Sequence, residues 1–328
     1  MWRRLSAVLA LFLLSPLIAE YLLGSLPMSL IGILPLMAAL YGCGAILIRD
    51  WSRRTGRGWP TMVLLATAYG LFEEGFVTQS LFNPNYLHLR LLDFGFIPAL
   101  GIGLPWLIFV VTIHIVWSLS VPIGLTEGLF KSQRTLPWLG PIGLGVVSLI
   151  FLAGAALIAS FTYKQLPFMA TPEQFGLTGA LILALIATAF LWPKRSAPLK
   201  GQVPHPLILF SVSFAAGSSL MLIQHMAQDK WHWDWRICVF AVLSLELLFV
   251  AFMILFTRGK VWSDMQRFSL MAGGLMVYVW VGFGTDQSLH GASDFTAHAA
   301  IAALFVALGV FAGWVAQRRN SKEGLTSD

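Results

Sequence analysis

The sequence predicts an all-α protein, a polytopic bundle of about ten transmembrane helices with both termini in the cytoplasm. Hydrophobic residues make up 57% of the 328 residues and charged residues only 11%, whereas soluble domains contain about 25% charged residues. The apolar residues are grouped into stretches long enough to cross a bilayer, which takes roughly 20 residues. The basic residues fall in the short segments between these stretches.

The apolar stretches define ten predicted spans. They cover residues 5–25, 29–48, 59–82, 100–127, 139–162, 176–193, 206–226, 236–257, 267–285 and 296–316. The first is interpreted as an uncleaved helix, because an apolar run of about 20 residues is long for a signal peptide and no small-residue cleavage site follows it. Residues 1–316 are therefore predicted to form a single transmembrane domain, and residues 317–328 a polar cytoplasmic tail.

The distribution of lysine and arginine predicts the orientation of the chain. With the N-terminus in the cytoplasm, 17 of these residues lie inside and 4 outside, as the positive-inside rule requires. The excess of basic residues therefore reflects topology, and no nucleic-acid partner is expected. The lipid bilayer is the expected partner. The bacterial inner membrane is the predicted location, because the compact loops and the charge distribution fit it.

Two adjacent carboxylates, Glu73 and Glu74, lie inside the third predicted span. A charged side chain at such a position costs about 2.5–3.5 kcal/mol on insertion scales, so it needs a partner, a proton or a function. Adjacent helical residues point about 100° apart, so one glutamate can face a site while the other braces a neighbouring helix. Tyr69 and Thr78 lie one helical turn from Glu73 and Glu74 respectively, close enough to interact with them.

Ionisable residues of other spans lie at comparable depth. With a rise of 1.5 Å per residue, Glu20 lies ~9 Å and the glutamate pair ~10 Å below the outer surface, whereas His114 and Glu246 lie near the midplane. Glu127, ~20 Å from His114 along the axis, is expected in solvent at the inner interface. The other candidates, beside His114 or at the outer rim, are Ser118, His290 and Asp294. Together these residues predict a polar site in the outer half of the membrane.

Carboxylates and an imidazole at this depth fit three kinds of protein. An intramembrane hydrolase would use Glu73, Glu74 and His114 as catalytic residues, activating a water or binding a divalent metal ion. Its substrate would be a membrane-embedded peptide or a lipid-like molecule. A proton-coupled transporter would use Glu20 and Glu246 as further proton carriers. A non-catalytic scaffold would use these polar groups to fix helix packing.

Two short motifs add a resemblance. The segment EEGFVT at residues 73–78 matches an EExxxR pattern except that Thr78 replaces the arginine, and the segment HGASD at residues 290–294 matches HxxxN/D. Residues 59–125 thereby resemble the CPBP family, the CAAX-processing and bacteriocin-processing intramembrane proteases, with His114 as the counterpart of the second-motif histidine. The resemblance implies that a glutamate activates a water and that histidines of later helices assist it.

Overall fold

The computed structural model describes residues 2–194, 203–290 and 295–324 and consists almost entirely of helices. The α-helices are α1 (Trp2–Pro16), α2 (Leu34–Met37), α3 (Cys43–Arg54), α4 (Trp59–Phe72), α5 (Leu104–Ile113), α6 (Val121–Leu129), α7 (Pro141–Gln165), α8 (Pro172–Leu191), α9 (Pro206–Met226), α10 (Trp235–Thr257), α11 (Asp264–His290) and α12 (Phe295–Gly324). The predicted all-α, polytopic fold class is confirmed.

Nine helical stretches in these ranges have the length and hydropathy to cross a membrane. They are Arg4–Leu22, Met28–Arg54, Leu104–Leu129, Pro141–Gln165, Pro172–Leu191, Pro206–Met226, Trp235–Thr257, Asp264–His290 and Phe295–Val315. The tenth predicted span, residues 59–82, is also helical, but its helix ends at Val77. It is less apolar than the others because it contains Glu73 and Glu74. The cytoplasmic position of both termini stays a prediction.

Within the described ranges, four stretches of π-helix continue neighbouring α-helices without a break. They are π1 (Leu17–Leu22), π2 (Ala38–Gly42), π3 (Glu73–Val77) and π4 (His114–Ser120). Such wide turns are rare and often occur at functional sites, because they redirect side chains that an α-helix would point elsewhere. In this protein π1 packs against π4, and π4 packs against α4. The wide turns therefore bring side chains from distant parts of the sequence into the middle of the bundle.

The chain turns sharply where α4 and π3 end. Gln79 has a positive φ of 56°, and its side-chain Oε1 accepts a hydrogen bond of 2.8 Å from the backbone N–H of Ala170. The following loop contains a short antiparallel hairpin of β1 (Phe96–Ile97) and β2 (Ile102–Gly103). The predicted helix therefore ends at Val77 rather than at Phe82, because a bend and a turn follow it.

Two glycines allow close packing beside the middle of the bundle. A Cβ atom on Gly75 of π3 would lie 2.8 Å from Cγ2 of Thr178 in α8. A Cβ atom on Gly282 of α11 would lie 2.1 Å from the carbonyl oxygen of Leu22 in π1. Helix α11 itself continues to His290, five residues beyond the end of the predicted span 267–285.

The C-terminal part of α3 carries a buried cluster of ion pairs. The Glu127 carboxylate is 3% exposed, and it accepts hydrogen bonds from Nε of Arg49 at 3.0 Å and from a terminal nitrogen of Arg53 at 2.5 Å. Arg49 also donates to the backbone carbonyl groups of Gln133, Arg134 and Leu136. The expectation of a solvated Glu127 was therefore wrong, because two arginines of α3 and the loop after α6 enclose it.

Candidate functional site

The centre of the site is the imidazole of His114, which lies between two neighbouring carboxylates. Its Nε2 atom lies 2.8 Å from Oε1 of Glu74, and its Nδ1 atom lies 3.5 Å from Oε2 of Glu73. Glu73, Glu74 and His114 are 2%, 6% and 4% exposed, and we call them the buried cluster. An ionised carboxylate only accepts hydrogen bonds, so Nε2 carries the hydrogen of the bond to Glu74.

Glu74 is engaged through both of its oxygens. While Oε1 accepts from His114, Oε2 accepts from Oγ1 of Thr78 at 2.8 Å and from Oγ of Ser80. The Ser80 hydroxyl accepts in turn from the indole N–H of Trp106 at 3.1 Å. The prediction that Thr78 shares a face with Glu74 agrees with this contact. These hydrogen bonds fix the position of the Glu74 carboxylate and, through it, of the imidazole.

Glu73 is held much less tightly. Its Oε2 atom is buried and has no hydrogen-bond partner in the described part of the chain. The hydroxyl of Tyr69 is likewise buried without such a partner, although it interacts electrostatically with Glu73. The Tyr69 ring packs edge-on against His114, with ring centroids 6.1 Å apart and an interplanar angle of 66°. Oε2 of Glu73 and the hydroxyl of Tyr69 thus lie near the imidazole without a well-formed hydrogen bond, while the two side chains interact with each other.

The second nitrogen of His114 faces a serine. Nδ1 lies 3.1 Å from Oγ of Ser118, one turn later in π4, which agrees with the predicted shared face. The backbone carbonyl of Ser118 accepts from Oγ of Ser15 at 2.5 Å, which ties π4 to α1. If the imidazole is neutral and Nε2 donates to Glu74, Nδ1 accepts a hydrogen bond from the hydroxyl of Ser118.

A third carboxylate, that of Glu20 in π1, belongs to the same polar region. Glu20 interacts electrostatically with Glu73 and His114. The hydroxyl of Tyr41 interacts with Glu20 and Glu73, and its ring stacks on His114 with centroids 6.0 Å apart. Oε2 of Glu20 accepts from Oγ of Ser25 at 2.5 Å. The sequence alone left open whether Glu20 lies near the glutamate pair.

Three other predicted site residues have different surroundings. Glu246 of α10 is half-buried and accepts from Oγ1 of Thr112 at 2.6 Å; within the described ranges, no hydrogen bond or ion pair of the buried cluster involves it. His290 lies 3.1 Å from the backbone carbonyl of Ser25, at the outer edge of the Glu20 region. Asp294 lies outside the described residues. The predicted set therefore divides into a cluster around His114 and two peripheral residues.

The sequence did not indicate several contributors to the site. Tyr41 lies in an otherwise apolar stretch, Ser80 follows the turn that ends π3, and Trp106 belongs to the next span. The loop after π3 also brings Tyr86 towards Glu74. Burial raises the pKa of Tyr86 well above its ordinary value, and the Glu74 carboxylate raises this pKa further. The sequence offered one sign of these contributors, which was the position of the polar residue Tyr41 inside the apolar span 29–48.

The buried cluster has the composition of a metal site. One ligand atom from each of Glu73, Glu74 and His114 can be chosen so that all lie within 4.8 Å of one another. Carboxylate oxygen and imidazole nitrogen atoms are the usual protein ligands of Zn²⁺ and related divalent ions. The cluster is therefore able to hold a divalent metal ion as well as to exchange protons.

Comparison with protein families matches residues 9–318 to the model of an uncharacterized membrane protein family. The matched range includes all of the buried cluster, together with Glu20 and Tyr41. Comparisons with curated proteins and with solved structures find no match.

Proposed function

This chain belongs to that uncharacterized membrane protein family, and from this premise we propose that it is an intramembrane hydrolase in which Glu73 is the general base. The coarser description, a multi-pass integral membrane protein, follows from the family and from the nine apolar helices of the described ranges. The hydrolase proposal rests on the chemistry of the buried cluster.

The observation that carries the proposal is the difference between the two glutamates. Both oxygens of Glu74 accept hydrogen bonds from neighbouring side chains. Oε2 of Glu73 has no hydrogen-bond partner in the described residues, yet it is buried beside His114. A buried polar atom without a partner is costly for stability, and such exceptions occur where a group has a chemical role. This supports Glu73 as the reacting carboxylate and Glu74 as the residue that positions His114.

The proposed reaction is the hydrolysis of an amide or ester bond. Glu73 accepts a proton from a water, and the resulting hydroxide adds to the carbonyl carbon of the substrate. The negative charge that develops on the carbonyl oxygen is stabilised by hydrogen-bond donors, a role that we assign to the hydroxyl of Tyr69 because it lies within electrostatic reach of Glu73. Glu73 then passes its proton to the leaving group as the carbon–nitrogen or carbon–oxygen bond breaks. The products are a carboxylic acid and an amine or alcohol.

The apolar surroundings of the cluster favour a substrate that is dissolved in the bilayer. The aromatic rings of Phe72 and Phe151 lie on the α7 side of Tyr69, with centroids 5.6 Å apart, and both are only partly buried. A membrane-embedded peptide and a lipid-like ester both satisfy this condition. The peptide is the first choice, because residues 73–78 resemble the EExxxR motif of the CPBP proteases.

The test is hydrolysis by the purified protein in proteoliposomes, with a panel of fluorogenic transmembrane peptides and lipid esters. Loss of a general base reduces turnover by about 10²–10⁴-fold, so Glu73→Gln is expected to lose at least that much activity. Glu246→Gln is the matched control, because it removes a membrane carboxylate outside the cluster. Equal turnover by wild type and Glu73→Gln, or no turnover of the panel by wild type, would count against the proposal.

A proton-coupled transporter is the second candidate function. The observation that favours it is the row formed by Glu20, Tyr41 and Glu73, in which a tyrosine hydroxyl interacts with carboxylates on both sides. Chains of such groups relay protons in membrane pumps and transporters. Substrate-dependent proton flux into proteoliposomes that is lost in Glu20→Gln would favour transport over hydrolysis.

A further inference from the structure

We propose that the buried cluster binds one divalent first-row transition-metal ion, with Glu73 Oε2 and His114 Nδ1 as ligands and Glu74 as the carboxylate that orients His114. This inference rests on the proposed hydrolase and names the cofactor of the same site: Glu73 would bind the ion through Oε2 and act as the general base through its other carboxylate oxygen. It rests on the charge of the cluster, on one distance between ligand atoms and on the hydrogen bonds around His114.

The cluster has an excess of acidic groups. Three carboxylates, those of Glu20, Glu73 and Glu74, surround one imidazole. The lysines and arginines that form ion pairs elsewhere in the described chain are bound to Asp50, Asp93, Glu127, Asp234 and Asp264. Buried charges are stable only when they are paired or coordinate a metal. A divalent cation is therefore a natural counter-ion for this region.

The distance between two ligand atoms fits a bound ion. Nδ1 of His114 and Oε2 of Glu73 lie 3.5 Å apart. A tetrahedral zinc ion with bonds of about 2.0–2.1 Å separates its ligand atoms by about 3.4 Å. The Nε2 atom of His114 lies closer to Glu74, at the 2.8 Å of a hydrogen bond. The distance between Nδ1 and Glu73 thus fits two ligands of one metal ion, whereas the distance between Nε2 and Glu74 fits a hydrogen bond.

The contacts of Glu74 match the outer shell of a metal site. Histidine ligands commonly donate their second ring N–H to a carboxylate, which fixes the tautomer and the orientation of the ring. Glu74 provides this carboxylate and is itself held by Thr78 and Ser80. The Ser118 hydroxyl, 3.1 Å from Nδ1, can rotate to bond a metal-bound water when the ion takes the nitrogen lone pair.

The donor atoms define the class of metal. One imidazole nitrogen with one carboxylate oxygen suits Zn²⁺, Mn²⁺, Fe²⁺ or Co²⁺, whereas Ca²⁺ and Mg²⁺ prefer ligand sets made only of oxygen. The remaining coordination positions belong to water. Open positions of this kind are typical of catalytic metals, which lower the pKa of the bound water. In the proposed hydrolase such a water would be the nucleophile.

The test measures metal binding directly. The purified protein in detergent is stripped with a chelator, dialysed and titrated with Zn²⁺ or Co²⁺, and bound metal is counted by mass spectrometry and by the visible spectrum of Co²⁺. We expect one ion per chain in wild type and none in Glu73→Gln or His114→Gln. Glu74→Gln is expected to bind about 10–100-fold more weakly, as outer-shell changes do, and Glu246→Gln to bind as wild type does.

Two further measurements keep the inference testable. Circular dichroism and thermal unfolding show whether a variant that binds no metal is still folded. If His114→Gln does not fold, Glu73→Asp replaces it, because the shorter carboxylate should weaken binding without removing the charge. Metal-free wild type after titration, or full affinity in folded Glu73→Gln, would overturn the inference. Hydrolysis that survives the chelator but is lost in Glu73→Gln would overturn the metal site alone, whereas metal binding without any hydrolysis would overturn the hydrolase alone.

Discussion

Glu74 and His114, 40 residues apart in the sequence, meet through a hydrogen bond of 2.8 Å between Oε1 and Nε2. The bond joins π3 to π4, the two wide turns that carry the catalytic candidates. A charge-assisted hydrogen bond is about twice as strong as a neutral one. The contact therefore contributes to stability as well as to the geometry of the site, and the two contributions can be separated by mutation.

The two glutamates should differ in their effect on stability. Glu74→Gln disturbs hydrogen bonds to His114, Thr78 and Ser80, so we expect it to lower the free energy of unfolding by about 1–3 kcal/mol. Oε2 of Glu73 has no hydrogen-bond partner among the described residues, so we expect Glu73→Gln to destabilise the protein less than Glu74→Gln does. Denaturation of chelator-treated protein in detergent measures both. Equal destabilisation by the two changes would argue that all these carboxylates only fix helix packing.

The close contact between π3 and α8 predicts a compensated pair of mutations. Gly75→Ala places a methyl group 2.8 Å from Cγ2 of Thr178 and should destabilise the protein by about 1–3 kcal/mol. Thr178→Ser removes Cγ2 and keeps the hydroxyl that donates to Gln174, so the double variant should recover most of this loss. Gly176→Ala, in open space on α8, is the matched control and should not destabilise. Thermal unfolding in detergent compares the four proteins.

The buried ion-pair cluster at Glu127 should matter far more than an exposed pair. Glu127→Ala removes the nearest carboxylate of the Arg49 guanidinium group, which is 0% exposed, and leaves it only that of Asp50 at 3.7 Å. Removing one partner of a buried pair costs about 3–5 kcal/mol. Asp93→Ala breaks the exposed pair with Arg90 and should cost no more than about 1 kcal/mol. Chemical denaturation distinguishes these values, and similar losses in both variants would contradict the burial of Glu127.

The predicted orientation can be tested with reporter fusions. Because 17 of the 21 lysines and arginines fall on one side in the ten-span arrangement, both termini should lie in the cytoplasm. A green fluorescent protein fused at the C-terminus should fluoresce, and alkaline phosphatase at the same position should be inactive. The opposite pair of results would show that the chain crosses the membrane an odd number of times or in the reverse direction.

The sequence predicted the class of fold, which the structure confirms, and a depth for the site, which stays a prediction. Apolar stretches and charge distribution depend only on composition along the chain, and depth follows from the rise of a helix. Lateral position depends on which helices pack together, which depth does not specify. His114 and Glu246 were placed at the same depth, yet the structure joins only His114 to Glu73 and Glu74.

The detailed geometry of the site could not be predicted from sequence patterns, because it depends on irregular turns of the backbone. The four wide turns and the turn at Gln79 depend on tertiary packing. They change the hydrophobic periodicity of the sequence too little to be recognised from it. The same turns bring Tyr41 and Ser80 towards the glutamate pair, so these two residues were missed. Glu127 was misjudged because nothing in the spacing of the residues places Arg49 and Arg53 beside it.

The wide turns have a consequence for how this site responds to changes in chain length. A π-helical turn accommodates an extra residue within an otherwise α-helical segment, so deleting one residue from π3 would restore ordinary α-helical geometry. The helix itself would tolerate the deletion. The flanking helical segments would keep their orientation, but the residues inside the wide turn would be displaced around the helix axis by up to about 100°, which would move Glu73 and Glu74 away from His114. Single-residue deletions at π3 or π4 are therefore expected to disrupt the site more than most substitutions there, while leaving a protein that still inserts into the membrane.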